Sequence, residues 1–546
     1  MRASKKKTML SKLAALCLAM ILTLSMSVTA FAAITPDSTQ DVAVSGLDAG
    51  TTVSIYKVID VQVTDDGQPE EPMYTWTTAM QDWVAANYPA YIGDGKGNAG
   101  DGAVTAAFTE GSTAEAFRSF WHDVEAAIKN GNITITAAAA DQTVANSQTS
   151  VTFSDMPMGE YLLSAKGGVK IYQPTTVLVI PEYDTTDGWT LDGAVVGTNS
   201  VMKGKAPDIE KDASTADDKD QTVAVGDVVD YTLTVDVPSY PEDAPYKTFI
   251  IGDTLGRGLT FNKNVKVYAN SVAAGNEIDG QYYTYTDTGI AQTFTVTFNT
   301  DFFNQASVPE KVVVTYSAAV NEDAFETDAL LNNAFLGYNN DPYTNGDYKI
   351  ETDEEVYTYG INVTKIAKEN PQKTLAGAQF ELSQGGAKLA FDETTAGSGI
   401  YNYNPNGSNT TLTVNANGVL QLQGLDEGTY TLTEITAPDG YVVPTGTVTV
   451  VITDDVINAT QASGEDGVID AENVTTSGTI SVPEDDIQII NDNVIAFKIE
   501  NTNADDAGFN LPKTGGMGTM LFTIGGIVLM GGAVAVIIGM TRKKKA

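Results

Sequence analysis

The sequence predicts a mainly β protein: tandem β-sandwich domains, the first with helical insertions, between an N-terminal signal peptide and a C-terminal transmembrane helix. Three observations carry this reading. Apolar and polar residues alternate strictly in many short runs from residue 223 onward, the period of a half-buried strand. Gly and Asn/Asp turn signals such as Asn417-Gly418 and Asp439-Gly440 separate those runs. Each end of the chain carries an apolar run flanked by basic residues.

At the N-terminus, Arg2, Lys5, Lys6 and Lys7 precede an apolar stretch at 13–24, and Ala30-Phe31-Ala32 offers small residues for cleavage. This is the layout of a secretory signal peptide, so the mature chain is expected to begin near Ala33. The only cysteine, Cys17, lies inside that leader, so the exported protein has no disulfide to toughen it. Strands are expected within 42–60. Two helices should follow, one with Trp76, Met80, Trp83 and Val84 at helical spacing and a stop at Pro89. The second starts at a capping box, Ser112-x-x-Glu115, carries Phe117, Phe120, Trp121, Val124 and Ile128 on one stripe, and ends at Gly131. Such an aromatic stripe reads as core. Strands resume at 151–153, 160–164 and 175–180.

Beyond residue 223 the texture is β only. Alternation is clear at 228–237, 293–298 and 311–319, and again at 380–382, 429–434, 447–452 and 495–499. The natural reading is two sandwiches in series. The expected divisions are 1–32, signal peptide; 33–203, strands plus two helices; 204–356 and 357–505, sandwiches; and 506–546, the C-terminal segment.

Charge narrows the function. The chain holds 31 Lys and Arg against 70 Asp and Glu, a formal net charge of −39. Nine of the basic residues sit in residues 1–32 and 515–546, which contain no acid, so the exported part is more acidic still. Nucleic acid is excluded as a partner by electrostatics. One histidine, His122, leaves little for His-based catalysis or a His-rich metal site. Acidic, Asn-rich loops such as 339–347 could offer oxygen ligands to Ca²⁺, but their spacing matches no calcium loop. Paired carboxylates are plentiful, yet no nucleophile motif accompanies them, so a secreted hydrolase is disfavoured.

The C-terminus carries the first family resemblance. Leu511-Pro512-Lys513-Thr514-Gly515 (LPKTG) is followed by an uncharged apolar stretch at 517–540 and then by Arg542, Lys543, Lys544 and Lys545. The stretch is long enough for the roughly 30 Å hydrocarbon core of a bilayer, and the basic tail would stay cytoplasmic. Motif, span and tail in this order resemble the sorting signal of Gram-positive surface proteins. In that family a sortase cuts between the Thr and the Gly, here Thr514 and Gly515, and passes Thr514 to an amine.

A second resemblance covers nearly the whole mature chain. PDIEK at 207–211, GDVVDY at 226–231, GDTLGRGLTF at 252–261 and NNAFLGY at 332–338 look like the middle domain of sortase-assembled backbone pilins. LAGAQFEL at 375–382 and YTLTEITAPDGY at 430–441 look like the B-type domain of collagen adhesins. The resemblance implies immunoglobulin-like (Ig-like) sandwiches, each holding a spontaneous Lys–Asn isopeptide bond promoted by a buried acid. It implies no cofactor and no metal, and the chain would be a substrate of sortase rather than an enzyme. The third domain offers Lys365, Asn501 and the acid Glu434, with Lys368 and Asn503 as rivals. The second offers Lys211, Asn332 and the acid Asp253, with Asn333 as rival. The bond is expected to join first and last strands. In the first domain Lys57 is available but has no evident partner.

A backbone pilin also presents a lysine to the next subunit's Thr514. The Tyr-Pro-Lys-Asn-like motif of many members is missing here, and Lys203, with Lys205 as rival, stands at the first junction instead. The implied partners are sortase, neighbouring copies of the same chain, tip and basal pilins, and peptidoglycan. The implied location is the cell wall, as a surface pilus. A monomeric adhesin anchored through LPKTG is the alternative.

Overall fold

The structure is a computed structural model that describes residues 34–93, 100–184, 188–191, 199–215, 221–241, 244–325, 330–454 and 467–505. The expected leader, Cys17, the cleavage site before Ala33, LPKTG at Leu511–Gly515, the apolar stretch at 517–540 and the basic tail lie outside the described residues.

The described residues form three β units in sequence. In the first, Thr39–Ser45 lies between Asn199–Val201 and Ser150–Pro157 in one sheet. Thr52–Val63 belongs to another sheet, ordered Pro69–Trp76, Thr52–Val63, Gly159–Lys166, Thr175–Val179. The two strands expected within 42–60 therefore exist but do not pair with each other. Gly46 and Gly50 take φ +80 and +81 in the connection between them, a left-handed backbone that favours glycine.

The helices correct the sequence reading in three places. Trp76 ends the strand Pro69–Trp76, and the first helix is Thr78–Asn87. Trp76 is fully buried because it is the strand residue on which the helices pack, with its ring 5.1 Å from Phe108 and 5.5 Å from Phe120. The longer helix is Ala114–Lys129, capped by the Thr113 side chain, which accepts from the Ala116 amide at 3.1 Å. Ser112 instead donates to the Ala107 carbonyl and to Tyr91, so the cap falls one residue later than expected and, with Ala116 three residues after it, no capping box forms. A further short helix, Ala106–Thr109, was not expected; it carries Phe108 into the same aromatic core.

The second unit is a sandwich of two five-stranded sheets. One is ordered Ile209–Thr215, Val228–Asp236, Lys311–Val320, Leu259–Phe261, with Lys266–Ala269 also on Lys311–Val320. The other is ordered Tyr283–Thr286, Phe294–Phe298, Phe249–Leu255, Leu331–Tyr338, Tyr348–Glu355. Alternation works as expected: Val229, Tyr231, Leu233 and Val235 all face the core from one strand. The "β only" reading misses one turn of α-helix, Thr300–Phe303, which buries Phe302, and the 3-10 turns Gly280–Tyr282 and Glu484–Asp486.

The third unit packs a seven-stranded sheet on a six-stranded one. In the first of these, Tyr359–Ala367 lies parallel to Val494–Asn501, with Lys365 opposite Ile499 and Ala367 opposite Asn501. Gly428–Thr436, which carries Glu434, belongs to the facing sheet. The first and last strands of this unit are thus neighbours, and the acid comes from across the core.

Candidate functional site

Period-2 geometry decides which polar residues are buried. Lys365 sits seventh in a strand whose core-facing neighbours are Ile361 and Val363, and its side chain is fully shielded from solvent. Its Nζ contacts the Asn501 Oδ1, donates to the Ile499 carbonyl at 3.1 Å and lies 3.1 Å from Glu434 Oε2. The Asn501 amide donates to Glu434 Oε1 at 2.7 Å and to the Val442 carbonyl at 3.2 Å. Amine, amide and acid are therefore in mutual contact in a dry core. The rivals are set apart: Lys368 and Asn503 are solvent-accessible, the first exposed and the second half-buried.

The second unit brings together Lys211, Asp253 and Asn332 by a different route. Lys211 stands on the first strand of one sheet. Asp253 and Asn332 stand on adjacent strands of the other, with Asp253 opposite Ala334 and Leu255 opposite Asn332. All three are buried. Lys211 Nζ donates to Asp253 Oδ2 at 2.8 Å and to the Asn332 main-chain carbonyl at 2.9 Å. Asn333 is exposed on the opposite face. One expectation is corrected: Asn332 lies on the penultimate strand of this unit, because Tyr348–Glu355 follows and pairs with it. The closing strand is an amphipathic addition at the sheet edge, and its alternating acids gave no separate signal.

Burial sets the electrostatics of both sites. Desolvation pushes the Lys211 and Lys365 amines down to about 8, against the pull of Asp253 and Glu434 respectively. Desolvation raises both acids, against the pull of the same lysines. Each pair is therefore biased toward neutral amine and neutral acid. The amine's lone pair then becomes available, and the acid acquires a proton to give. That is the combination needed to attack a carboxamide and release ammonia.

Two residues near Lys211 were missed from sequence. Tyr316 hydrogen-bonds Asp253 and receives the Asn332 amide at 2.9 Å. Tyr231 stacks on it at 5.2 Å, with Lys211 Nζ over the Tyr231 ring. Alternation marks both as core-facing, but nothing in the sequence separates a core tyrosine that packs from one that also hydrogen-bonds a reacting group.

In the first unit Lys57 forms a half-exposed pair with Asp60 at 2.7 Å, and no amide or buried acid approaches it among the described contacts. At the junction, Lys203–Lys205 pairs with Ile171–Gln173. Lys205 is bound to Asp236 at 3.0 Å, whereas Lys203 is exposed and has no ion pair among the described residues. The loop after Tyr338 binds its own polar atoms. Asn339 donates to the Tyr246 and Thr344 carbonyls and accepts from the Asp341 amide.

Comparison with known proteins bears on the fold and the C-terminal motif. Residues 360–466 match the family model of the SpaA prealbumin-like fold domain, and residues 504–546 match the LPXTG cell wall anchor motif. The T6 backbone pilin of serotype M6 Streptococcus pyogenes, a modular three-domain structure, superposes with a TM-score of 0.53 at 18% identity, covering 86% of this chain and 100% of that one. The chain has the backbone-pilin fold. The trypsin-resistant surface T6 protein of Streptococcus pyogenes serotype M6 is 31% identical over 271 residues, 46% of this chain. This chain spans 47% of that curated relative's length. The full-length major pilin SpaD from Corynebacterium diphtheriae aligns over 86% of this chain and 99% of its own at 18% identity, with a TM-score of 0.45. Within the backbone-pilin fold, the two buried Lys–acid–Asn groups occupy the second and third units, and Lys203 stands where the first unit meets the second.

Proposed function

We propose that this chain is the structural backbone subunit of a covalent pilus, polymerised by sortase through Thr514 and anchored to the Gram-positive cell wall. The observation that carries the reading is the coincidence of a three-unit backbone-pilin fold with an LPXTG anchor motif on one chain. Sortase would cleave between Thr514 and Gly515 and hand Thr514 to Lys203 of the next copy. Lys203 is preferred because it is exposed and unpaired among the described residues, whereas Lys205 is engaged by Asp236. Tip and basal pilins would complete the fibre, and peptidoglycan would receive its base.

Two intramolecular isopeptide bonds, Lys211–Asn332 and Lys365–Asn501, would toughen the subunit. Each lysine passes its proton to the neighbouring acid, Asp253 or Glu434, and the neutral amine attacks the Asn side-chain carbonyl carbon. The acid gives its proton to the Asn amide nitrogen, the C–N bond to that nitrogen breaks, ammonia leaves, and the acid recovers a proton from the new amide nitrogen. Confinement in a folded core supplies the proximity. Such ties fit the trypsin resistance in the T6 protein's name, because the chain between the tied strands cannot separate to admit a protease.

Immunoblotting of cell-wall extracts tests the backbone role. A ladder of high-mass species is expected, collapsing to monomer with Lys203→Ala and persisting with Lys205→Ala. A single band from the parent would mean a monomeric anchored adhesin.

A further inference from the structure

The two buried sites differ in how the acid reaches the amide. In the third unit the Glu434 carboxylate accepts directly from the Asn501 Nδ2 at 2.7 Å. In the second unit a phenol stands between acid and amide. The Tyr316 hydroxyl donates to Asp253 Oδ2 at 2.5 Å and accepts from Asn332 Nδ2 at 2.9 Å. Asp253 Oδ2 also accepts from Lys211 Nζ at 2.8 Å. The four groups form one chain: amine, carboxyl, phenol, amide.

We propose that Tyr316 is a catalytic residue of the second unit, relaying the proton of Asp253 to the departing amide nitrogen of Asn332. The proposal rests on the reading that Lys211 and Asn332 become bonded.

The placement is built into the sheet. Tyr316 lies on Lys311–Val320, opposite Tyr231 of Val228–Asp236, which in turn lies opposite Ala213, two residues from Lys211. The ring is fixed by Tyr231 stacked at 5.2 Å and by Phe294 edge-on at 4.9 Å. It is 3% exposed, so no water competes for the hydroxyl. Burial and the Asp253 charge hold the phenol well above its ordinary range. Tyr316 therefore keeps its proton and can exchange one proton for another without becoming a phenolate.

Two further atoms favour a protonated carboxyl. Asp253 Oδ1 and Asn332 Oδ1 are both buried with no hydrogen-bond partner. Buried acceptors without a donor are costly. A proton taken up by the Asp253 carboxyl supplies a donor where the resting arrangement has none.

The step balances as follows. Lys211 gives one proton to Asp253 and attacks the Asn332 Cγ, forming the Nζ–Cγ bond. Asp253 donates to the Tyr316 oxygen while the Tyr316 proton passes to Asn332 Nδ2. The Cγ–Nδ2 bond breaks and ammonia departs. Nζ, now an amide nitrogen, returns its surplus proton to Asp253, and Tyr316 is unchanged.

The test is Tyr316→Phe in the full secreted chain, followed by intact mass and peptide mapping from the moment of purification. The parent should have lost two ammonia molecules at first sampling. The variant should have lost one, with the Lys365–Asn501 peptide present and the Lys211–Asn332 peptide forming at least about 100-fold more slowly, the usual scale of a general acid's contribution. A second comparison removes the bond from consideration. Tyr316→Phe in an Asn332→Ala background should melt within about 10 °C of Asn332→Ala alone, the range expected for one lost hydrogen bond. A larger drop would make Tyr316 a packing residue and overturn the relay. Tyr316→Phe bonded at first sampling like the parent would also overturn it, while leaving the Lys211–Asn332 bond standing. A parent whose second-unit peptides show no loss of ammonia would instead remove the bond itself.

Discussion

A lysine shielded from water on all sides is an expensive residue, and the described residues include two. Lys365 and Lys211 both have fully buried side chains. If either stayed a free amine, folding would release its proton once the pH rose past about 8. This gives a direct prediction for Asn501→Ala, which keeps Lys365 and Glu434 but removes the electrophile. The folded Lys365 titrates at about 8, against 10.5 for an ordinary lysine. Between those values the unfolded chain holds a proton that the folded chain has lost, so stability should rise with pH across that window and be flat just below it. Glu434, shifted upward, contributes the opposite slope on the acid side. Thermal melts at several pH values should show the alkaline rise in Asn501→Ala. They should not show it in the parent, whose Lys365 is expected to be a non-titrating amide.

At the scale of the element, a one-residue step along a strand decides which asparagine can react. Asn332 points into the core and Asn333 out of it, because successive side chains alternate faces. Asn332→Ala should therefore abolish one ammonia loss by intact mass, and Asn333→Ala should leave both. Elements also explain why the two sites use different layouts. In the third unit, amine and amide share a sheet on adjacent parallel strands, and the acid reaches across. In the second, acid and amide share a sheet and the amine reaches across. Both arrangements place three polar groups in one dry spot, so neither strand order nor sheet membership is essential. Alternation made the core strands legible in the sequence. It could not say that Trp76 closes a strand rather than opening a helix, since a short apolar run fits either period until its neighbours are known. The cap at Thr113 was missed for a similar reason: Ser112 and Thr113 are chemically equivalent caps, and the contact of Ser112 with Tyr91 settles which one is free.

At the scale of the whole molecule, the ties enclose long stretches of chain. Lys365 and Asn501 are 136 residues apart, and Lys211 and Asn332 are 121 apart. For a cross-link closing a loop of that size, the entropy removed from the unfolded chain is worth about 5 kcal/mol. Glu434→Ala should accordingly lower the melting temperature and speed trypsin cleavage; equal melting of variant and parent would contradict the tie. The penultimate position of Asn332 has a mechanical consequence. Tension entering at Lys211 crosses to Asn332, but the strand Tyr348–Glu355 lies beyond the tie and is held by hydrogen bonds and packing. Pulling single molecules by their ends should release the untied first unit and, from the second unit, only the roughly two dozen residues after Asn332, about 80 Å of contour, with nothing from inside the third unit's loop. Release of the whole second unit would contradict the Lys211–Asn332 bond.

Much was determined by the sequence alone. The terminal signals, the acidic balance, the β class and the identities of Lys211, Asp253, Asn332, Lys365, Glu434 and Asn501 as candidates were all readable, because they rest on residue type, local period and short motifs. The tertiary structure alone decided what depends on residues far apart in the chain. It placed Tyr316 between Asp253 and Asn332, engaged Lys205 with Asp236 while leaving Lys203 exposed, and set a further strand beyond Asn332. The physical reason is the same in each case. A local pattern says which face a side chain takes, but only the packing of distant strands says what it meets there.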